Sequence, residues 1–123
     1  MEESSGKPPT SAAEHARFLQ GILPAYFADY WAMVAQLGPV SLKTHYDPNR
    51  IRSTWDVRDR LGQIDVPTLV ISGLYDFVCA RRFSDEIVAG IHGATCLKLH
   101  ESGHFGYQEQ QELLVKTVAD FVS

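Results

Sequence analysis

The sequence predicts an α/β fold in which the second half is a β-α-β-α unit with two parallel strands. Residues 68–72 are a short apolar run rich in β-branched residues, typical of a parallel strand that is covered on both faces. Residues 95–100 resemble a second strand, and apolar residues recur at helical spacing over 82–91 and over 109–122. This alternation of strands and helices predicts a right-handed parallel crossover.

Composition is that of an ordinary globular domain. The chain has 123 residues, 45% hydrophobic and 21% charged, which excludes a disordered tail, a collagen-like fibre and a low-complexity segment. The net charge of −4 argues against nucleic acid or an anionic membrane as a partner. The polar N-terminus has no signal-peptide pattern and no apolar run is long enough for a membrane helix, so we expect a cytoplasmic protein.

The two cysteines, Cys79 and Cys96, do not form a disulfide framework. In a reducing cytosol both are expected to be free thiols that act as small apolar residues in the interior. Neither has a second cysteine or a histidine at the spacing of a zinc motif. We therefore expect no metal and no cofactor.

The first half reads as helical after a disordered lead at residues 1–10, which hold two prolines, two serines and a glycine. Ser11 and Glu14 fit a capping box at the start of a first helix. Pro24 is expected to open a second helix that runs through 25–37 and ends at the following Gly-Pro pair. The aromatic residues of this helix favour a core, although in a cap they could line an apolar acyl site.

Residues 40–63 are less regular. Residues 47–49, Asp-Pro-Asn, predict a turn or a helix start, and a short helix could follow through Ile51 and Trp55. Charges alternate over 56–61 until a glycine interrupts them.

Two residues suggest chemistry, and each follows one of the predicted strands. Asp76 lies four residues after Ser72, and His104 follows the second strand. Because parallel strands end at the same edge of a sheet, about 5 Å apart, we expect the two side chains to lie close together. A carboxylate on one ring nitrogen fixes the imidazole tautomer, and the other nitrogen can then act as a general base. The remaining histidines are expected on the surface: His15, His45, His92 and His100.

Three segments carry a resemblance to a known fold. Residues 65–76, Asp-Val-Pro-Thr-Leu-Val-Ile-Ser-Gly-Leu-Tyr-Asp, resemble the strand-seven segment of the α/β-hydrolase fold, where the acid of the catalytic triad sits. Residues 102–105, Ser-Gly-His-Phe, resemble the loop after strand eight, which carries the catalytic histidine. The aromatic helices at 12–37 resemble the cap of proline iminopeptidase-like members. The resemblance implies that Asp76 is the acid and His104 the base.

The same resemblance divides the chain. A helical cap-like region is expected over 11–63, and the C-terminal β-α-β-α unit of the hydrolase core over 64–123. The chain thus looks like the C-terminal half of such a hydrolase, with an incomplete sheet. The free edge of the strand at 68–72 would have to be covered, either by another copy in a homo-oligomer or by a complementary chain that supplies the missing half.

The nucleophile of the triad is absent from the sequence. In this fold it is a serine on a Gly-x-Ser-x-Gly elbow, and no serine here has glycine two places before and two places after it. The resemblance also expects proline where Ala80-Arg81 and His92 stand. We expect a partial serine hydrolase, inactive alone, whose parent activity is hydrolysis of a small ester or of an N-terminal proline peptide. The alternative is a non-catalytic interaction or dimerisation module derived from a hydrolase.

Overall fold

The structure is a computed structural model that describes residues 8–42, 45–51 and 54–123. The expected disordered lead falls mostly outside these ranges, and its last residues, 8–10, have no regular secondary structure. No helix in the described part of the chain combines the length and the apolar character needed to cross a bilayer.

Helix α1, Ala12–Ile22, begins at the capping residue that the sequence predicts. The hydroxyl of Ser11 accepts the backbone N–H of Glu14 at 3.2 Å. The carboxylate of Glu14 accepts the backbone N–H and the hydroxyl of Thr10, both at 2.8 Å. Both bonds lower the pKa of the Glu14 carboxyl, and the bond from the backbone N–H of Thr10 has the larger effect.

The second helix does not run unbroken from residue 25 to residue 37, and the sequence prediction is wrong here. A 3-10 helix spans Leu23–Tyr26, and helix α2, Tyr30–Leu37, starts only after an extended residue, Phe27. The break occurs because the side chain of Asp29 accepts the N–H of Ala32 at 2.9 Å and so caps a new helix. The end of α2 at a glycine with φ of 83° agrees with the prediction.

The segment from residue 45 to residue 63 contains the predicted turn, in which the carboxylate of Asp47 accepts a backbone N–H two residues further on, at 2.8 Å. The helix expected through Ile51 and Trp55 falls partly on residues 52–53, outside the described ranges; on either side, both apolar residues are non-helical and exposed. The regular element in this segment is a 3-10 helix at Arg58–Gln63.

The two predicted strands form a parallel pair. Strand β1, Leu69–Gly73, and strand β2, Thr95–Leu99, are in register from their first residues to their last. Helix α3, Arg81–Gly90, connects them and packs against β1. In the part of the chain that the structure describes, this pair is the whole sheet, with the order β1-β2. The fold class is therefore confirmed as α/β with an incomplete sheet.

The C-terminal helix is interrupted, in contrast to the single helix expected over residues 109–122. Helix α4, Gly106–Glu109, is followed by helix α5, Gln111–Val122. The backbone of Gln110 leaves the helical region, at φ −130° and ψ 51°. Its side-chain oxygen instead accepts the N–H of Glu101 at 3.0 Å and the hydroxyl of Ser102 at 2.9 Å.

The main apolar core lies in the helical first half, where Leu23, Phe27 and Met33 are buried. Partly buried residues complete it: Tyr26, Tyr30, Val40, Leu42 and Phe105. Phe105 comes from the loop after β2, so this core attaches the helical segment to the carboxyl end of the sheet.

Candidate active site

The side chains of Asp76 and His104 lie together at the carboxyl end of the sheet. Asp76 is three residues beyond the end of β1, and His104 is five residues beyond the end of β2. Oδ2 of Asp76 lies 3.0 Å from Nδ1 of His104, within hydrogen-bond distance. The Asp76 side chain is 8% exposed and that of His104 is 31% exposed. The carboxylate is thus largely shielded, while the imidazole reaches solvent.

The turn after β1 and the loop after β2 touch through their main chains. The N–H of Leu74 donates to the carbonyl oxygen of Leu99 at 2.9 Å, which extends the ladder past the end of the strands. One residue further, the N–H of Tyr75 donates to the carbonyl oxygen of Ser102 at 3.0 Å. These two bonds place the residues that carry the carboxylate and the imidazole next to each other.

Two glycines make this approach possible. A Cβ atom on Gly73 would lie 2.7 Å from the carbonyl oxygen of Ser102 and closer still to that of Gly103. A Cβ atom on Gly103 would overlap the carbonyl oxygen of Tyr26. The same carbonyl oxygen accepts the N–H of His104 at 2.7 Å. No side chain fits between these main-chain segments, so both positions require glycine.

The two oxygens of the Asp76 carboxylate have different partners. Oδ1 accepts the backbone N–H groups of Val78 and Cys79, both at 2.9 Å. Oδ2 points to the imidazole. The turn after β1 therefore holds the carboxylate in one orientation, and with Nδ1 engaged, Nε2 is the ring nitrogen that remains to accept a proton.

Two aromatic rings contact the imidazole. Tyr26 contacts His104 edge-on, with ring centroids 5.5 Å apart, and Phe105 does so at 5.4 Å. Phe77 packs edge-on against Tyr26 at 5.1 Å. Tyr26 is one of the aromatic residues expected either in the core or at an acyl site, and the structure places it against both the core and the imidazole.

Comparisons with known proteins identify the fold. No family model matches the chain. The chain is 32% identical over 66 residues to the AB hydrolase superfamily protein YisY of Bacillus subtilis (strain 168). The matched region covers 54% of this chain and 25% of YisY. The structure of an alpha/beta fold family hydrolase from Bacillus anthracis str. Sterne superposes with a TM-score of 0.71 at 26% identity, over 94% of this chain and 44% of that one. This chain is a C-terminal part of an α/β-hydrolase fold.

A further solved structure matches a shorter part of the chain. Est816, described as an N-acyl homoserine lactone degrading enzyme, matches with a TM-score of 0.52 and 30% identity, over 55% of this chain and 26% of Est816. The chain thus spans from about a quarter to less than half of the length of these proteins.

The two serines in the segments that lead to Asp76 and His104 have hydroxyl partners other than His104. Ser72 and Ser102 are buried, with 7% and 0% of their surface exposed. The hydroxyl of Ser102 donates to Gln110 at 2.9 Å, and that of Ser72 lies 3.9 Å from Sγ of Cys96. Both therefore have structural roles, and neither stands on a strand-to-helix elbow.

Cys79 is exposed, which corrects the expectation that both cysteines lie in the interior; Cys96 is half-buried. Cys79 sits on the turn that holds the Asp76 carboxylate, where its backbone N–H is a hydrogen-bond donor to that group. Partial desolvation, followed by the negative charge of Asp76, raises the pKa of the Cys79 thiol. At neutral pH the thiol is protonated, so it is not an activated nucleophile for this hydrolase fold.

Glu109 is a residue of the site that the sequence does not reveal. Its Oε1 accepts the backbone N–H groups of Ala28 and Asp29 at 2.7 and 3.2 Å, and its Oε2 accepts that of Gly103 at 2.7 Å. One carboxylate thus joins the helical segment to the loop that carries His104. The partners are backbone groups, and Ala28 is 81 residues away, so no sequence motif could have indicated them.

The other histidines are separate from the pair. His45, His92 and His100 are exposed, as expected, and His15 is half-buried with its ring 5.7 Å from that of Tyr46. His15 and His45 line a cleft between α1 and residues 45–51 and 55, and neither Asp76 nor His104 contributes to it. The cleft is therefore distinct from the candidate active site.

Proposed function

We propose that this chain supplies the acid, Asp76, and the base, His104, of a Ser-His-Asp triad that hydrolyses esters. The observation that carries the proposal is the 3.0 Å contact between Oδ2 of Asp76 and Nδ1 of His104 at the carboxyl ends of two adjacent parallel strands. The serine and the oxyanion hole would come from residues outside this sequence.

In the proposed reaction, Nε2 of His104 removes the proton from the serine hydroxyl as its oxygen attacks the ester carbonyl carbon. The carboxylate of Asp76 stabilises the imidazolium that results. The imidazolium then returns the proton to the leaving alkoxide, and an acyl-enzyme remains. Water, activated by the same nitrogen, releases the acid in a second addition and elimination.

The substrate class that we favour is a small ester. Support comes from Est816, because a lactone is a cyclic ester and Est816 is 30% identical over the matched part. Hydrolysis of N-terminal proline peptides is the second possibility, and it rests on the resemblance of the helices at 12–37 to a proline iminopeptidase-like cap. In either case we propose that these helices cover the site, since Tyr26 packs against the imidazole.

The proposal also assigns an occupant to the open edge of β1. Within the described residues β1 pairs with β2 only, and Ile71 at its centre is 37% exposed. We propose that a strand of the missing half of the fold, or of a second copy of this chain, pairs with this edge. The two free thiols fit a reducing cytosol as the place where this occurs.

For the isolated chain we expect self-association, because an unpaired apolar edge is a pairing site. Sedimentation velocity at micromolar concentration should show a dimer or a larger species, and a complex of one copy of each chain once the complementary half is added. A folded monomer that stays monomeric over this range would contradict the proposed occupant of the edge.

Complementation tests the catalytic proposal. The part of the Bacillus anthracis hydrolase that lies outside the matched region would be co-expressed with this chain. A fluorophosphonate probe should label the serine of the complex, while this chain alone should keep its mass. We expect His104→Ala and Asp76→Asn to reduce labelling by roughly 100-fold or more, since removal of triad members has effects of this size or larger.

The matched control for complementation is His92→Ala, because His92 is an exposed histidine on a different turn. Labelling that survives His104→Ala to the same extent as His92→Ala would refute the catalytic role. A complex that forms normally but is never labelled would favour the non-catalytic interaction module, an alternative supported by the lack of a Gly-x-Ser-x-Gly elbow in this sequence.

A further inference from the structure

Three side chains at the end of β1 offer the ligand types of a transition-metal site. One carboxylate oxygen of Asp76, Sγ of Cys79 and one ring nitrogen of His104 all lie within 4.8 Å of one another. The carboxylate and the thiol belong to one turn, three residues apart, and the imidazole comes from the loop after β2. The long separation of His104 from the other two is the reason why ligand spacing in the sequence indicates no metal.

We propose that Asp76, Cys79 and His104 form a binding site for Zn²⁺. Carboxylate, thiolate and imidazole are the groups that zinc takes in proteins, and three protein ligands leave a fourth position for water. The sulfur ligand favours zinc over magnesium or calcium, which prefer sets of oxygen ligands. Binding of the ion would displace the proton of the Cys79 thiol into solvent, and the carboxylate and the resulting thiolate would together carry the two negative charges that neutralise the ion.

The distances suit this ion with small side-chain rotations. Zinc–ligand bonds of about 2.0–2.3 Å in a tetrahedron place the ligand atoms roughly 3.3–3.8 Å apart. The Asp76–His104 contact is 3.0 Å, and the largest separation within the cluster is below 4.8 Å. Sγ of Cys79 therefore needs to move inward by about 1.5 Å at most, which rotation of one exposed side chain provides.

The site is supported on one side and open on the other. Two backbone N–H groups hold the Asp76 carboxylate from Oδ1, which leaves Oδ2 for an ion. The exposed side chain of Cys79 gives the ion access from solvent. The cations that follow the turn are engaged elsewhere, since Arg81 pairs with Asp85 at 3.5 Å and Arg82 lies 4.7 Å over the ring of Phe83.

Zinc at this site would inhibit the pair. Both groups that the proposed triad needs would be metal ligands, so His104 could not act as a base while the ion is bound. This consequence rests on the proposed function, whereas the binding of zinc does not. A complementation assay run with and without a chelator separates the two statements.

The test is a Zn²⁺ titration of the full chain in competition with a chromophoric chelator, with Co²⁺ as a spectroscopic substitute. We expect one Zn²⁺ per chain and a thiolate-to-cobalt charge-transfer band. Cys79→Ser and His104→Gln should each weaken binding by at least about tenfold, and Cys79→Ser should abolish the band. The matched controls, Cys96→Ser and His92→Gln, should retain both the affinity and the band.

Circular dichroism of each variant verifies that it is folded before the titration. The proposal is overturned if the chain does not compete with the chelator for zinc. It is equally overturned if Cys79→Ser and His104→Gln bind zinc as the parent chain does, or if only the control variants lose affinity, because the ion would then lie elsewhere. Loss of the band in Cys79→Ser with both controls intact supports it.

Discussion

Replacement of Gly73 by alanine should destabilise the fold by roughly 3 kcal/mol or more, the upper end of the cost of overpacking. The reason is that the new Cβ would meet main-chain oxygens of Ser102 and Gly103, which cannot rotate away as a side chain could. The carboxyl end of β1 would have to separate from the loop after β2. Urea unfolding followed by circular dichroism measures the effect as a lower midpoint.

Gly21→Ala is the matched control, because Gly21 lies inside α1 and a Cβ there has no heavy atom within 4 Å. Alanine is the better helix former, so this variant should be as stable as the parent chain or more stable by up to about 1 kcal/mol. If Gly73→Ala unfolds at the same urea concentration as Gly21→Ala, the close approach of the two main chains is not present in solution.

Glu109→Ala should cost about 2 kcal/mol, because it removes a charged acceptor from three backbone N–H groups. Ala28 and Asp29 are exposed, so water can replace the lost bonds there, but Gly103 is buried. Most of the cost should therefore come from the loop that carries His104. Hydrogen exchange should show faster exchange of the Gly103 and His104 amides than in the parent chain.

The control for this variant is Glu112→Ala, on the exposed first turn of α5. It removes the same charge and should cost less than about 1 kcal/mol, the size of a helix-terminus effect. Glu109→Gln separates charge from shape, since the amide keeps one acceptor oxygen and turns an N–H₂ toward a donor. Equal midpoints for Glu109→Ala and Glu112→Ala would show that the carboxylate does not join the two segments.

The sequence predicts best the part of the fold where local pattern and global structure agree. The β-branched run around Val70 favours a strand, so β1, α3 and β2 appear within a residue or two of their expected ends, although Ile71 is exposed and not covered as the sequence predicts. The proximity of Asp76 and His104 follows from the same topology, because parallel strands end at one edge. Their catalytic role stays a prediction until it is tested.

The two interrupted helices have one physical cause, which is that polar side chains bind distant or local polar groups. Periodicity continues through Asp29 and Gln110, but the first caps a new helix and the second reaches back to residues 101–102. Apolar spacing cannot report such bonds. The same holds for Glu109, and for Cys79, whose exposure depends on the course of a turn rather than on its own polarity.

The close main-chain contact at Gly73 and Gly103 makes the distance between Asp76 and His104 tolerant of substitutions elsewhere. Their separation is determined by peptide groups that pair with one another, and by the carboxylate of Glu109, which binds the N–H of Gly103. Surface substitutions could therefore accumulate over the helices without moving a carboxylate away from an imidazole. A transplant of residues 69–104 into another parallel sheet would therefore need substitutes for two contacts from outside the segment, the carbonyl oxygen of Tyr26 and the carboxylate of Glu109.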